Sequence, residues 1–233
     1  MAERIDIGRL DAELEGKEPQ EILKRALELY DRIAISFSGA EDVVLIDMAS
    51  KIRDGVSVFT LDTGRLHPET YDFIDVVRGR YPIKMKVYFP DHAAVESMVE
   101  KKGLFSFYAD GHEECCGIRK VEPLGRAIEG VDAWITGQRK DSNVTRKDLP
   151  VVQADPVHGD KVKFNPIANW SLRQVWDYIH ANNVPYNRLH ERGFVSIGCA
   201  PCTRAIMPGE HERAGRWWWE EATKRECGLH VRR

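Results

Sequence analysis

The chain has 233 residues, of which 42% are hydrophobic and 30% charged, with 34 basic against 37 acidic side chains and a formal net charge of −3. This is the balance of a globular domain long enough to bury a sizeable core, and nothing in it suggests a general nucleic-acid or membrane surface. No apolar run approaches the roughly 20 residues needed to span a bilayer, and the opening MAERIDIGRLDAELEG has no basic segment followed by an apolar one, so the expectation is a protein of the reducing cytoplasm without a signal peptide.

Residues 20–30 place Ile22, Leu23, Ala26, Leu27 and Tyr30 at helical spacing. Arg32 to Phe37 is a short β-like run that ends at Ser38-Gly39, and Val43 to Ile52 returns to helical spacing. Val56 to Leu61 reads as a second strand, ending at Asp62-Thr63-Gly64. Pro68 opens a helix to about Arg80, since proline suits a first helical turn. Ile83 to Phe89 is a third strand, Ala93 to Lys102 a helix, and Ala133 to Thr136 a fourth strand. The alternation predicts an α/β fold with a mostly parallel sheet flanked by helices. Ligands bind beyond the carboxyl ends of such strands, and three polar, glycine-containing stretches fit that position: 36–42, 62–67 and 137–146. Beyond residue 150, Val162 to Phe164 is a short strand, and Ser171 caps a helix from Leu172 to about Ala181. Residues 183–216 read as irregular, and Arg216 to Lys224 as a last short helix. The reading is one domain over 1–233, with a core at about 20–180 and an irregular C-terminal extension at about 181–233.

In a reducing compartment, paired cysteines point to metal binding or catalysis rather than disulfides. Cys115-Cys116 and Cys199-x-x-Cys202 form two pairs. Four thiolates can hold a zinc ion or an iron–sulfur cluster. Adjacent cysteines diverge, which suits the volume of a cubane better than one small ion, but spacing alone leaves zinc and incidental burial open. Cys227 lies apart, in Lys224-Arg225-Glu226-Cys227-Gly228-Leu229-His230. Neighbouring cations favour the thiolate, which is the nucleophile. An exposed spectator thiol fits the same residues.

The stretch Ser36-Phe37-Ser38-Gly39-Ala40-Glu41-Asp42 joins a strand to a helix. Small side chains, a glycine and a helix N-terminus predict a cradle of backbone N–H groups for an anion, although tight turns use the same residues. The Gly-Lys-Ser/Thr ending of a Walker A loop is missing. Arg139, Lys140 and Arg146 follow another strand end, and Arg213 and Arg216 lie three apart. Arginine suits bidentate contact with phosphate or sulfate oxygens; solvated surface charge is the bland alternative. The Trp217-Trp218-Trp219 run reads as packing rather than base stacking.

Taken together, SFSGAED (36–42), LDTGRLHPETY (61–71), ECCGIRK (114–120), GQRKD with TR (137–146), KFNPIANWS (163–171), IGCAPCTR (197–204), ERAGRWWWE (212–220) and KRECGLH (224–230) resemble the assimilatory sulfonucleotide reductases, specifically the iron–sulfur-containing adenylyl-sulfate (APS) reductases. The motifs run in family order over all but about the first 30 residues. The resemblance implies an adenine nucleotide alpha hydrolase-like fold. It implies reduction of adenosine 5′-phosphosulfate to sulfite and AMP in sulfate assimilation, with thioredoxin or a similar dithiol protein as donor. Carried over by position, Cys115, Cys116, Cys199 and Cys202 hold one 4Fe–4S cluster, and Cys227 is the nucleophile that becomes an S-sulfocysteine. Lys120, Arg213, Arg216 and His230 match positions near the phosphosulfate. Ser36, Ser38, Gly39, Leu61, Asp62, Thr63, Gly64, Gly137, Arg139 and Arg146 match the nucleotide site. One departure stands out: the family commonly has Gln-Ser where this chain has Ser142-Asn143. The chemistry asks a tail bearing Cys227 to close on substrate and open to the donor, and Gly209, Gly215 and Gly228 are the expected points of freedom. No nucleic acid or membrane partner is expected, and a homo-oligomer is compatible with the sequence. The rival readings are a reductase of the 3′-phosphorylated substrate (PAPS) or of both nucleotides, an ATP pyrophosphatase or adenylyltransferase, and a non-enzymatic iron–sulfur binding protein.

Overall fold

The computed structural model describes residues 5–159 and 161–221; Cys227, His230 and Gly228 lie outside the described residues. The first helix, α1 (Ile7–Leu14), is capped by Asp6, whose carboxylate accepts from Arg9 N at 3.0 Å. It was not legible in the sequence. The helical spacing at 20–30 becomes α2 (Pro19–Leu29), opened by a proline in its first turn. Its Ile22, Leu23, Ala26 and Leu27 are buried, each larger side chain contributing roughly 1.5–3 kcal/mol of transfer free energy.

The alternating segment then runs β1 (Ile33–Phe37), α3 (Ala40–Ser50), β2 (Val56–Leu61), α4 (Pro68–Arg80), β3 (Ile83–Tyr88), α5 (His92–Lys102), α6 (Phe107–Asp110), α7 (Glu113–Cys116), α8 (Glu122–Glu129), β4 (Ala133–Ile135), β5 (Val152–Asp155), β6 (Lys161–Phe164) and α9 (Leu172–Asn182). Among the described residues the strands form one sheet in the order β3-β2-β1-β4-β6-β5. The expected parallel pairing holds from β3 to β6. The edge strand β5, which sequence reading did not place, pairs antiparallel to β6. The link from Asp155 to Lys161 is too short for a parallel crossover, which takes about a dozen residues.

Strand alternation divides the core into two layers. Ile33, Ile35 and Phe37 of β1, with Ala133 and Ile135 of β4, enter the larger cluster beneath α2, α3 and α9. Ala34 and Trp134 point to the other face and pack with Leu124, Ala127 and Ile128 of α8. The helix α3 is buried almost all round, including Asp47. That carboxylate is matched by Tyr178 Oη at 2.8 Å, Tyr81 Oη at 3.2 Å and Lys51 Nζ at 2.6 Å, as a buried charge requires.

The helix expected from Arg216 onward is absent through residue 221. Residues 212–220 run as turns, with an isolated antiparallel bridge between Arg216 and Thr203. The backbone is engaged sideways instead: Arg204 N donates to Gly215 O at 3.0 Å and Trp217 N to Cys202 O at 3.1 Å. The backbone is closely packed at Gly215, where a side chain would overlap the Arg204 carbonyl. Among the described residues no helix is long and apolar enough to cross a membrane.

Candidate active site

A cavity of about 200 Å³ opens beyond the carboxyl ends of β1, β2 and β4, beside the point between β1 and β4 where the strand order reverses. Most of the residues expected at a nucleotide site line it. Ser36, Ser38 and Gly39 come from the end of β1, Leu61 and Thr63 from β2, Gly137 and Arg146 from the segment after β4. Lys120, Arg213 and Arg216 supply the rest of its positive charge. An apolar wall of Leu66, Phe73 and Ile74 faces them.

The loop after β1 is shaped by Asp42, a residue whose role the sequence reading missed. Its carboxylate accepts from Ser38 N at 2.8 Å, Gly39 N at 3.0 Å, Ser38 Oγ at 3.0 Å and, across the cleft, Gly137 N at 2.9 Å. The expected cradle of outward N–H groups is thus met from within the protein at Ser38 and Gly39. The available signal was a carboxylate three residues after Gly39 at a helix start, the spacing of a reciprocal cap. Burial, with the Glu41 charge nearby, pushes the Asp42 carboxyl up to about 6 against these hydrogen bonds.

Asp62, Gly64 and Arg139 do not line the cavity. Asp62 accepts from Gly64 N at 2.7 Å and Tyr71 Oη at 3.0 Å, which pins the turn after β2. Arg139 is wholly enclosed. Its guanidinium pairs with Glu212 at 2.8 and 3.0 Å, with Glu41 at 3.3 Å and with Asp141. Its charge is spent inside the protein, whereas Arg146 reaches the cavity with Nη1 on Ser142 Oγ at 3.2 Å. Ser142, the departure from the family pattern, lines the cavity and donates to Arg139 O at 2.8 Å.

Lys120 owes its position to a π-helical turn, Gly117–Val121, between α7 and α8. The wider turn buries both Arg119 and Lys120. Arg119 Nη1 donates to Thr63 O at 2.6 Å, and Lys120 borders this cavity and a second, smaller one. That second cavity is lined by all four paired cysteines, with Arg65, His112 and Arg119. Cys116, Cys199 and Cys202 are buried, and Cys115 is half-buried. Thr63 Oγ1 lies 3.2 Å from Cys199 Sγ. Burial opposes ionisation of Cys199, but Lys120, the Thr63 hydrogen bond and two arginines outweigh it and lower its pKa. Burial and the nearby Cys199 push Cys202 up to about 12. Among the described residues no three His, Cys, Asp or Glu side chains form a site for a single metal ion.

Arg216 lies against Ile197 O at 3.1 Å. Trp217 is fully buried, which agrees with the packing reading of the tryptophan run, while Trp218 is half-exposed. Over the Trp217 ring lie Arg216 at 4.5 Å, Lys120 at 5.4 Å and Arg213 at 5.9 Å.

A mostly parallel sheet of this order, with a pocket at its switch point, is the adenine nucleotide alpha hydrolase-like fold. Residues 32–205 match the phosphoadenosine phosphosulfate reductase domain, and the chain belongs to that family. It is 55% identical over 237 residues to the adenosine 5′-phosphosulfate reductase of Pseudomonas aeruginosa (strain LESB58), spanning 99% of this chain and 89% of that protein. The chloroplastic 5′-adenylylsulfate reductase 1 of Arabidopsis thaliana is 53% identical over 239 residues, 99% of this chain and 51% of that protein. The chain thus spans about half the length of that plant relative. Among solved structures, the phosphoadenylyl-sulfate reductase from Candida auris in its phosphate complex aligns with a TM-score of 0.74 at 30% identity, covering 88% of this chain and 98% of that one. Yeast FAD synthetase, at 15% identity and a TM-score of 0.57, shares the fold alone.

Proposed function

We propose that the chain is an oxidoreductase that converts adenosine 5′-phosphosulfate to sulfite and AMP in sulfate assimilation, with thioredoxin or a similar dithiol protein as electron donor. The observation that carries this reading is the convergence of Lys120, Arg146, Arg213 and Arg216 on one cavity at the carboxyl end of the sheet. The high identity to reductases of that nucleotide supports it. Sulfur in a phosphosulfate is electrophilic and AMP is a good leaving group. The Cys227 thiolate attacks that sulfur, forming an S–S bond as the S–O bond to AMP breaks, and becomes an S-sulfocysteine. The cations of the cavity offset the negative oxygens that repel a thiolate. A donor thiolate then attacks the Cys227 sulfur and expels sulfite, and the second donor thiol resolves the mixed disulfide. The two electrons come from the dithiol. His230 is proposed to join the cations at the phosphosulfate.

The four paired cysteines fit a 4Fe–4S cluster. They border one cavity, and Arg119 Nε and Trp217 Nε1 are buried donors without a partner beside them. When bound, such a cluster supplies a fixed charge and a cross-link between α7 and the 199–202 turn. Lys120, bordering both cavities, holds its ammonium between the two. Asp62 and Arg139, placed behind the wall, orient the loops that touch substrate. The proposed location is the cytoplasm.

The test is mass spectrometry after mixing the protein with adenosine 5′-phosphosulfate and no donor. Cys227 is expected to gain the mass of one SO3, and Cys227→Ser to abolish both the adduct and sulfite release. An unmodified Cys227 in active protein rules out the covalent step.

A further inference from the structure

Residues 212–220 cross from one cavity to the other, and each end is held by a buried acid–base pair. At the near end Glu212 meets the enclosed Arg139. At the far end Glu220 takes His112 at two points: His112 N donates to Glu220 Oε1 at 3.0 Å, and Nδ1 lies 2.7 Å from Oε2. The side chains of His112 and Glu220 are 3% and 9% exposed, so this contact is not a solvated surface pair of small value. His112 stands immediately before α7, the helix that carries Cys115 and Cys116.

The backbone contact anchors the Glu220 carboxylate and the Nδ1 contact orients the imidazole. It stacks on Trp217 with centroids 4.3 Å apart and 27° between the rings. Trp217 in turn is the surface against which Lys120, Arg213 and Arg216 lie, and these three cations line the nucleotide-type cavity. Trp217 also holds a left-handed backbone, φ +40°. A non-glycine residue in that region costs about 1–3 kcal/mol and persists only where its surroundings over-determine it, as happens at functional sites. The sheet and the cation–ring contacts do not explain why a buried carboxylate and imidazole are placed behind this ring. Orientation of the ring does.

We propose that Glu220 and His112 are positioning residues: Glu220 locks the His112 ring, His112 locks Trp217, and Trp217 sets the three cations that receive the anionic end of the nucleotide. This rests on the reading of the cavity as the adenosine 5′-phosphosulfate site. It adds two residues that touch neither substrate nor a reacting atom, and it makes the anion-binding end of the cavity depend on a contact at the base of α7.

The experiment measures equilibrium binding in the full chain carrying Cys227→Ser, so that adenosine 5′-phosphosulfate stays intact, with adenosine as the probe lacking anionic groups. Glu220→Ala is expected to weaken the phosphosulfate nucleotide about tenfold, equivalent to about 1.4 kcal/mol, and to leave adenosine within about twofold, with iron content unchanged. Glu220→Gln keeps both hydrogen bonds if the imidazole takes its other tautomer, and is expected to restore most of the affinity. Equal loss for both ligands, or loss of iron alongside, marks a merely structural role and overturns the proposal. So does a Glu220→Gln protein as weak as Glu220→Ala, or a Glu220→Ala protein as tight as its parent. Failure of the parent protein to bind the phosphosulfate nucleotide at all instead overturns the reading of the cavity.

Discussion

Asp42 sits under a conflict that can be measured. Four hydrogen bonds favour its carboxylate, yet burial beside Glu41 lifts its carboxyl from 3.8 to about 6. A carboxyl that binds its proton more tightly when folded gives stability that is present in full below its unfolded pKa and is lost as pH rises through its folded one. The window therefore runs from about pH 4 to pH 6, and the cost at pH 7 is about 3 kcal/mol at 1.36 kcal/mol per unit. The stability difference between the wild-type protein and Asp42→Asn should shift against the wild type by that order as pH rises from 4 to 7, read from denaturant midpoints. A difference that stays flat over the range would remove the conflict. The same shell makes Gly137 irreplaceable in size: a Cβ there would sit 2.7 Å from both Asp42 Oδ1 and Glu41 Cβ.

At the scale of elements, the π-helical turn at Gly117–Val121 sets the angle between the cysteine pair and Lys120. An α-helix advances about 100° per residue. Deleting Gly117 would let α7 and α8 join as one α-helix, turning either Cys115 and Cys116 or Lys120 away from its cavity by that angle. A side chain at Gly117 would meet nothing within 4 Å, so the site itself is roomy and the deletion is a fair test of register. The expected result is near-native far-UV circular dichroism with loss of either iron content or turnover. Retention of both would show that the register is not what places these residues. The strap at 212–220 is the second element that matters, because it contributes Arg213 and Arg216 without being helix or strand.

For the whole molecule, the expected composition is one cluster per chain. Anaerobically purified protein should be brown, with about four iron and four sulfide; a colourless protein with one zinc would replace the cluster by a single ion. The architecture that holds these parts was readable where a local pattern decides it. The strands at 33–37 and 56–61 and the helix at 172–182 follow from apolar spacing and a serine cap. The loops after β1, β2 and β4 followed from the rule that parallel sheets bind ligands at their carboxyl ends. What was missed depends on partners distant in the chain. β5 is short, and its pairing rests on a turn and on α1, whose Asp11 accepts from Val152 N at 2.8 Å. Arg139 and Arg146 look alike as sequence, and only the fold makes one an internal counter-ion and the other a cavity residue. Arg216 falls within a helical-looking run, but its neighbours hydrogen-bond to residues 202–204 instead. His112 and Glu220 lie 108 positions apart, and no spacing rule joins them.

The π-helical turn also has a historical side. Such a turn differs from plain α-helix by one residue per turn, so the insertion of a single codon in an ancestral helix suffices to create it. One inserted residue between Cys115-Cys116 and Lys120 is enough to rotate the lysine by about 100° relative to the cysteine pair. A single-residue change of this kind re-aims a charge without altering the strands that frame the pocket.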